Sequence, residues 1–378
     1  MMDHNVKKTA LYNSHIKLGA KMISYSGFYM PLQYVSSLIE HMSVRKNVGI
    51  FDVSHMGKFI LKGKNSHNFL QYFTTNDLSN IKTGQAQYSC FINHLGGIID
   101  DLVIYKISEE KFLLIVNAAN IEKNKKWIND HLNYQNLTFI DSSQEYSLLA
   151  IQGPKSLSSI QKLTNISLSK IPFYCFEIGK FSEIDNVLIS CTGYTGSKGV
   201  EIYIRNEYAE NIWNEILKIG ESFQIKPCGI ASRDSLRLEM GYRLYGQELS
   251  EEITPIEAGL SWITKFNKKF IGREILLKQK KKETIKVYTF SCRKKGKIPR
   301  SGYSFKNEKN FTVGKVTSGG YSPVLKKGIG LGYIKKNNWS LDKNSIFVSI
   351  RNRNIPIQIV KLPFIKKHRN ILYFLIST

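Results

Sequence analysis

The chain has 378 residues, 42% hydrophobic and 12% aromatic, enough apolar material for two or three compact domains and too much for a largely disordered protein. Lys and Arg number 54 against 30 Asp and Glu, a formal net charge of +24. No stretch approaches the roughly 20 apolar residues of a membrane-spanning helix, and the opening MMDHNVKKTALYNSHIKLGAK has no long apolar core, so an untargeted, cytoplasmic protein with no membrane partner is expected.

In chain order, SSLIEHMSVRKNVGIFDVSHMGKFILKG opens with Leu38, Met42 and Arg45 at helical spacing and changes at Gly49 into short apolar runs, a helix handing over to strands. HLGGIIDDLVIYK, residues 94 to 106, reads as a turn followed by a strand with Asp100 and Asp101 side by side at its start. KFLLIVNAA reads as a further strand, and NIEKNKKWINDHL as a helix capped by Asn120 that turns Ile121, Ile128 and Leu132 inward. YSLLAIQGP is a strand stopped by Gly153 and Pro154, and EYAENIWNEILKIGESF is amphipathic through Ile212, Ile216 and Ile219. PCGIASRDSLRLEMGYRLYGQEL is predicted to be a helix opened after Gly229, with Arg233 and Arg237 one turn apart and Glu239 and Arg243 four apart. From about residue 279 helical periodicity vanishes, and short strands punctuated by glycine suggest a small barrel or sandwich beyond a boundary at 275 to 285. Sheet and helix alternate without regular βαβ units.

Five cysteines (Cys90, Cys175, Cys191, Cys228 and Cys292) are scattered singly, which argues against a disulfide framework or structural zinc. The eight histidines form no H-x-x-x-H group, so no metal is expected. Three causes compete for the positive charge: A/T-rich codon usage adding lysines, an anionic small ligand or acidic protein partner, and nucleic acid. Lysines outnumber arginines, whereas bidentate phosphate recognition favours Arg, so nucleic acid is the weakest of the three and no such partner is expected.

The acids carry the chemical question. Asp100 and Asp101 sit among Ile98, Ile99, Leu102, Val103 and Ile104, where desolvation shifts proton affinity, although Asp is also common in turns. In CTGYTGSKGVEIYIR the glycines tempt a phosphate-loop reading, but strands follow on both sides, where a dinucleotide loop would lead into a helix. Val200, Ile202 and Ile204 share one face of the second strand, so Glu201 points away from them and, taken alone, reads as a solvated strand acid. The density of Arg beside Tyr242 and Tyr245 suits a pocket for a planar anionic or amide-bearing ligand.

GAKMISYSGFYMPLQY, VGIFDVSHMGKF, GGIIDDLVIYK, VNAANIEKN, AIQGP, TGYTGSKGVE, GIASRDSLRLEMGYRLYGQEL, GLSWITKFNKKFIGRE and GKVTSGGYSP together, in this order, resemble the aminomethyltransferase (T-protein) family of the glycine cleavage system across essentially the entire chain. The resemblance implies an α+β, three-domain cloverleaf: two interleaved antiparallel α+β folate-binding domains, roughly 1–51 with 137–245 and 52–136 with 246–278, then a jelly-roll-like β-barrel over 279–378. It implies transfer of the one-carbon unit from the aminomethyl group on lipoyl H-protein to tetrahydrofolate, giving ammonia, 5,10-methylenetetrahydrofolate and dihydrolipoyl H-protein, alongside the P- and L-proteins. Tetrahydrofolate would be a co-substrate, with no metal and no flavin.

By matched motif, Asp101 corresponds to the family's catalytic aspartate, with Asp100 supporting the turn. Glu201 would accept the pterin's two parallel N–H donors, Arg233 would stand beside it, and Tyr88, Asn117 and Tyr194 would stack on or hydrogen-bond the folate. Met56 would lie near the lipoyl arm, Arg369 would contact the folate glutamate, and Lys265, Lys268 and Lys269 are candidate contacts for an acidic carrier. A folate-binding module without transferase activity is the competing class. An oxidase-type relative would need a flavin domain for which the chain has no fingerprint.

Overall fold

The computed structural model describes residues 6–132, 136–280, 285–335 and 345–365. The chain divides into two compact units: Met1–Leu70, Leu78–Tyr88 and Leu102–Asp234 form the first, and Gln71–Asp77, Ser89–Asp101 and Ser235–Thr378 the second. Helices among the described residues are Tyr12–Lys17 (α1), Ser37–Lys46 (α2), Ser66–Phe73 (α3), Ile121–Asp130 (α4), Ser156–Ile160 (α5), Ala209–Gly220 (α6), Ile230–Met240 (α7) and Arg273–Gln279 (α8). No described helix is long and apolar enough to cross a membrane.

The first unit begins with a small sheet in the order β1-β3-β2, from Lys7–Lys8 (β1), Lys21–Tyr25 (β2) and Phe28–Gln33 (β3). Its larger sheet runs β11-β12-β13-β10-β4-β14, from Gly49–Asp52 (β4), Tyr146–Gln152 (β10), Phe176–Phe181 (β11), Ile184–Ser190 (β12), Gly199–Arg205 (β13) and Lys226–Pro227 (β14). Only the short β14 pairs in parallel there. A third sheet runs β6-β7-β8-β5-β9, from Gly57–Lys62 (β5), Ala86–Ile92 (β6), Ile98–Ser108 (β7), Lys111–Val116 (β8) and Thr138–Asp141 (β9). Within α3, β6, β7 and α7 the chain passes from one unit to the other.

Amphipathic pattern explains these elements better than capping does. Ile212, Trp213 and Ile216 of α6 are fully buried against Val200 and Ile202 of β13 and Leu149 and Ile151 of β10, while Ile219 is only half-buried. Each such side chain contributes about 1.5–3 kcal/mol of burial. Asn120 stands at the start of α4, yet its side chain makes no capping bond. Ile121 and Ile128 are buried, and Leu132, past the helix end, is half-buried, so the apolar face holds this short helix.

In the second unit a closed barrel runs β15-β18-β17-β16-β19-β20, from Ile285–Cys292 (β15), Ser304–Lys306 (β16), Thr312–Ser322 (β17), Lys327–Lys335 (β18), Phe347–Ile350 (β19) and Arg353–Ile359 (β20). Every pairing in it is antiparallel. The glycines read as strand breaks lie inside β17 and β18, which are 11 and 9 residues long. A Cβ on Gly330 would stand 2.7 Å from Phe290, and one on Gly332 would stand 2.5 Å from Phe305. Those two rings meet edge to face at 5.1 Å in the barrel core, so the glycines make room for the aromatic pair. The architecture is thus mixed α+β with a C-terminal barrel, as expected.

Candidate active site

In the first unit, β13 sends Val200, Ile202 and Ile204 into the core and turns Glu201 and Tyr203 to the opposite face. That face is dry. Tyr203 is 6% exposed and donates its hydroxyl to Tyr105 OH at 2.8 Å; Tyr105 OH lies 3.1 Å from Thr192 Oγ1; Thr192 donates to Glu201 Oε2 at 2.5 Å. Burial pushes the Glu201 carboxyl above the usual range, opposed by the Thr192 bond and the Arg233 charge. Glu201 is therefore no solvated strand acid.

Arg233, in the first turns of α7, lays its guanidinium 4.9 Å from the centre of the Tyr194 ring. Its buried Nη1 has no hydrogen-bond partner among the described residues. The loop carrying Tyr194 is built around Gln152, which receives the Thr195 hydroxyl at 2.8 Å and donates to the Thr192 carbonyl at 3.1 Å. A Cβ on Gly193 would sit 2.2 Å from Gln152 Oε1, so this glycine serves close packing. Arg45 ties down the far side through the Thr195 carbonyl at 2.7 Å and Ser197 Oγ at 2.9 Å.

Three further residues are placed by strand position. Tyr88 lies half-buried on β6. Gly57 pairs with Val116 across β5 and β8, which brings Met56, just before β5, and Asn117, just after β8, to the same end of that strand pair. Both are half-buried. Arg369 lies outside the described residues.

His55, beside Met56 in DVSHM, was missed by sequence reasoning, as were Thr192, Tyr105 and Tyr203. Its ring is 3% exposed, packed edge-on to Tyr25 at 5.7 Å and Phe28 at 6.4 Å, with Nδ1 unpartnered among the described residues. Burial, together with the Arg233 and Lys58 charges, pushes its pKa down to about 3 against the opposing pull of Asp52, so it is neutral at physiological pH. Beneath it, Asp52 accepts from Thr9 Oγ1 at 2.8 Å and the Ser54 amide at 2.9 Å, and meets His15 Nε2 at 2.9 Å. Lys58, 1% exposed, donates to the Ser54 carbonyl at 2.7 Å, and burial pushes its pKa down to about 8.

In the second unit, Asn93 holds the turn that precedes the paired acids. Its Oδ1 accepts the Leu95 and Gly97 amides at 2.9 Å each, and its Nδ2 donates to the Glu251 carbonyl at 3.2 Å. Asp100 is fully buried within β7, and Asp101 is half-buried beside it. The two carboxylates add to burial in raising the Cys90 thiol. Tyr245 is raised by burial and by the negative charges of Glu251, Asp100, Glu252 and Asp101. Asp101 thus occupies an acidic, partly desolvated neighbourhood.

Arg237 and Arg243 are bonded within the second unit. Arg237 pairs with Glu248 at 3.2 Å and donates to Ser318 Oγ at 2.9 Å, with the pair almost wholly buried. The helix ends at Met240, so Arg243 cannot pair with Glu239 along it; Arg243 donates to the Ala258 carbonyl at 2.8 Å, and Glu239 accepts from Ser322. Lys268 also turns inward: its ammonium donates to the Gln71 and Thr74 carbonyls, and burial pushes its pKa down to about 7. Of the three candidate carrier-docking lysines, Lys269 is exposed and Lys265 half-buried. Among the described residues no three His, Cys, Asp or Glu side chains group as a metal set.

Residues 11–268 match the GCVT N-terminal domain, and residues 286–366 match the glycine cleavage T-protein C-terminal barrel domain. The chain is 48% identical to an aminomethyltransferase of Flavobacterium psychrophilum and 46% identical to one of Bacteroides thetaiotaomicron, in each case over 96% of this chain and 100% of the relative. It superposes with a TM-score of 0.88, at 29% identity, on the crystal structure of the glycine cleavage system aminomethyltransferase T from Bartonella henselae, covering 96% of this chain and 99% of that one. A family match over both regions and near-full-length identity of this order leave one conclusion: the chain belongs to the aminomethyltransferase (T-protein) family and is an enzyme of that class.

Proposed function

We propose that this enzyme works in glycine cleavage, moving the one-carbon unit of the aminomethyl group on lipoyl H-protein to tetrahydrofolate, in concert with the P- and L-proteins. The carbon loses its bonds to the amine nitrogen and the lipoyl sulfur and gains bonds to two folate nitrogens. The folate N–H protons leave, and ammonia and the dihydrolipoyl thiol are released. Tetrahydrofolate is the co-substrate, and the location is cytoplasmic.

In this reading Glu201 accepts the pterin's paired N–H donors, Arg233 offers its unpartnered Nη1 to a ligand oxygen, and Tyr194 supports that guanidinium. The Arg233 donor, without a partner among the described residues and beside a half-buried carboxylate, is the observation that carries it: a buried polar group without a partner costs about 1–3 kcal/mol, which a bound amide-like heterocycle would offset. Tyr88 and Asn117 complete the folate-binding set, Met56 lines the approach of the lipoyl arm, and Arg369 meets the folate glutamate. Asp101, a carboxylate already among negative charges, accepts or relays a folate N–H proton and stabilises the developing iminium cation. The expected subdivision remains 1–51 with 137–245, 52–136 with 246–278, and 279–378.

The test is single-turnover release of ammonia from aminomethylated H-protein with and without tetrahydrofolate. Stoichiometric, folate-dependent release is expected. Asp101→Asn should lower that rate roughly 100-fold or more while leaving folate affinity within a few fold. Folate binding without release, using carrier competent with a known transferase, would instead make the chain a binding module; unchanged turnover in Asp101→Asn would remove the aspartate's role.

A further inference from the structure

We propose that Thr192, backed by Tyr105 and Tyr203, is a positioning residue that fixes Glu201 as an ionised, acceptor-only carboxylate facing paired N–H donors. The inference rests on the reading of Glu201 as the group that holds the folate.

The bond to Glu201 decides where the threonine proton goes. Thr192 has a single proton, and its Oγ1 lies 2.5 Å from Glu201 Oε2, 3.0 Å from Ser190 Oγ and 3.1 Å from Tyr105 OH. An ionised carboxylate only accepts, so that proton goes to Glu201. With that proton committed, the Tyr105 hydroxyl is the donor in its contact with Thr192 Oγ1. Tyr203 donates in turn to Tyr105 at 2.8 Å, so every proton along the chain points toward Glu201. Ser190, Thr192, Tyr105 and Tyr203 are all buried, where such a chain polarises cooperatively.

Consequences follow for the ligand. Among the described residues Glu201 Oε2 keeps one lone pair free and Oε1 both, which suits a ring N–H beside an exocyclic amine and repels an acceptor at either position. The ionisable groups acting on or sensing Glu201 are Arg233, Tyr105 and Tyr203; both phenols are pushed up by burial and by the Glu201 charge and stay protonated. Removing the Thr192 donor would leave burial less opposed, so the carboxyl would titrate at higher pH.

Tetrahydrofolate affinity and saturated turnover should be measured from about pH 5 to 8 for the full-length enzyme and for Thr192→Val, Thr192→Ser, Tyr105→Phe and Glu201→Gln. Thr192→Val is expected to weaken folate binding about tenfold and to move its acid limb to higher pH, with turnover at saturation within about threefold. Thr192→Ser should restore both, and Tyr105→Phe, which keeps the ring, should shift them the same way by less. If Glu201→Gln weakens binding but Thr192→Val moves neither affinity nor limb, the positioning role is overturned and the Glu201 reading survives. A Thr192→Val enzyme that merely folds in lower yield, with an unmoved limb, also overturns it. If Glu201→Gln binds folate normally, the reading of Glu201 fails first.

Discussion

His55 shows how much one side chain can couple to its surroundings. Its pKa, ordinarily 6.5, falls to about 3 because burial disfavours the imidazolium and the Arg233 and Lys58 charges repel it. Between those two values the unfolded chain binds a proton that the folded chain refuses, so stability is fully present above about pH 6.5 and is lost as pH falls through that window. Asp52, held below its usual range by His15 and Ser54 despite burial, adds loss in the same direction at still lower pH. Urea unfolding at about pH 7 and 5 should show the wild type losing on the order of 2 kcal/mol and His55→Leu losing much less. Equal losses would mean that His55 is not the group that charges. Among the motif residues, Asp101, Glu201, Arg233 and Tyr194 could be picked out from sequence order. Thr192, Tyr105 and Tyr203 could not, because Tyr203 and Tyr105 lie 98 residues apart and only the fold makes their hydroxyls neighbours.

Among the secondary-structure elements, the turn leading into β7 sets where Asp101 stands. Gly97 lets the turn approach the Glu251 backbone so closely that a Cβ would lie 1.6 Å from that carbonyl, and the Ile98 amide donates to the Ser250 and Ile253 carbonyls at 3.0 Å each. Gly97→Ala should therefore cost about 2 kcal/mol or more and lower turnover with it. An unchanged melting temperature would show that the turn yields easily. Periodicity revealed α6 and β13 because their buried faces follow from local spacing; α2 forms where expected, but it buries Glu40, His41, Ser43 and Val44 and leaves Leu38 exposed. It failed where a distant partner decides: the barrel glycines look like breaks until Phe290 and Phe305 are seen to need the space. Likewise the end of α7 at Met240, followed by Gly241 at φ +69°, removes the helical register on which the Glu239 and Arg243 pairing depended.

For the molecule as a whole, the charge of +24 bears on association more than on fold. With an acidic carrier, raising ionic strength from roughly 0.05 to 0.5 M should lower the second-order rate severalfold and leave turnover at saturating carrier unchanged. Equal falls in both would place the salt effect after docking. The exposed Lys269 is a better contributor than Lys268, whose ammonium is spent on backbone carbonyls. The change of pattern near residue 279 was legible because no helix occurs among the described residues from β15 to β20. The resemblance implied interleaving, but the short pieces that cross, residues 71–77 and 89–101, carry no shift in composition that marks them.

That exchange has a genetic consequence. The chain changes unit after Leu70, Asp77, Tyr88, Asp101 and Asp234, so no single breakpoint in the coding sequence separates one unit from the other. A one-point recombinant between two diverged relatives, cut anywhere from residue 78 to residue 234, would mix parental residues inside the second unit, whose early pieces hold Asp101 and whose late piece holds the barrel. Such sequences are inherited most safely as a block, and a chimera that respects the units must be spliced at all five crossings.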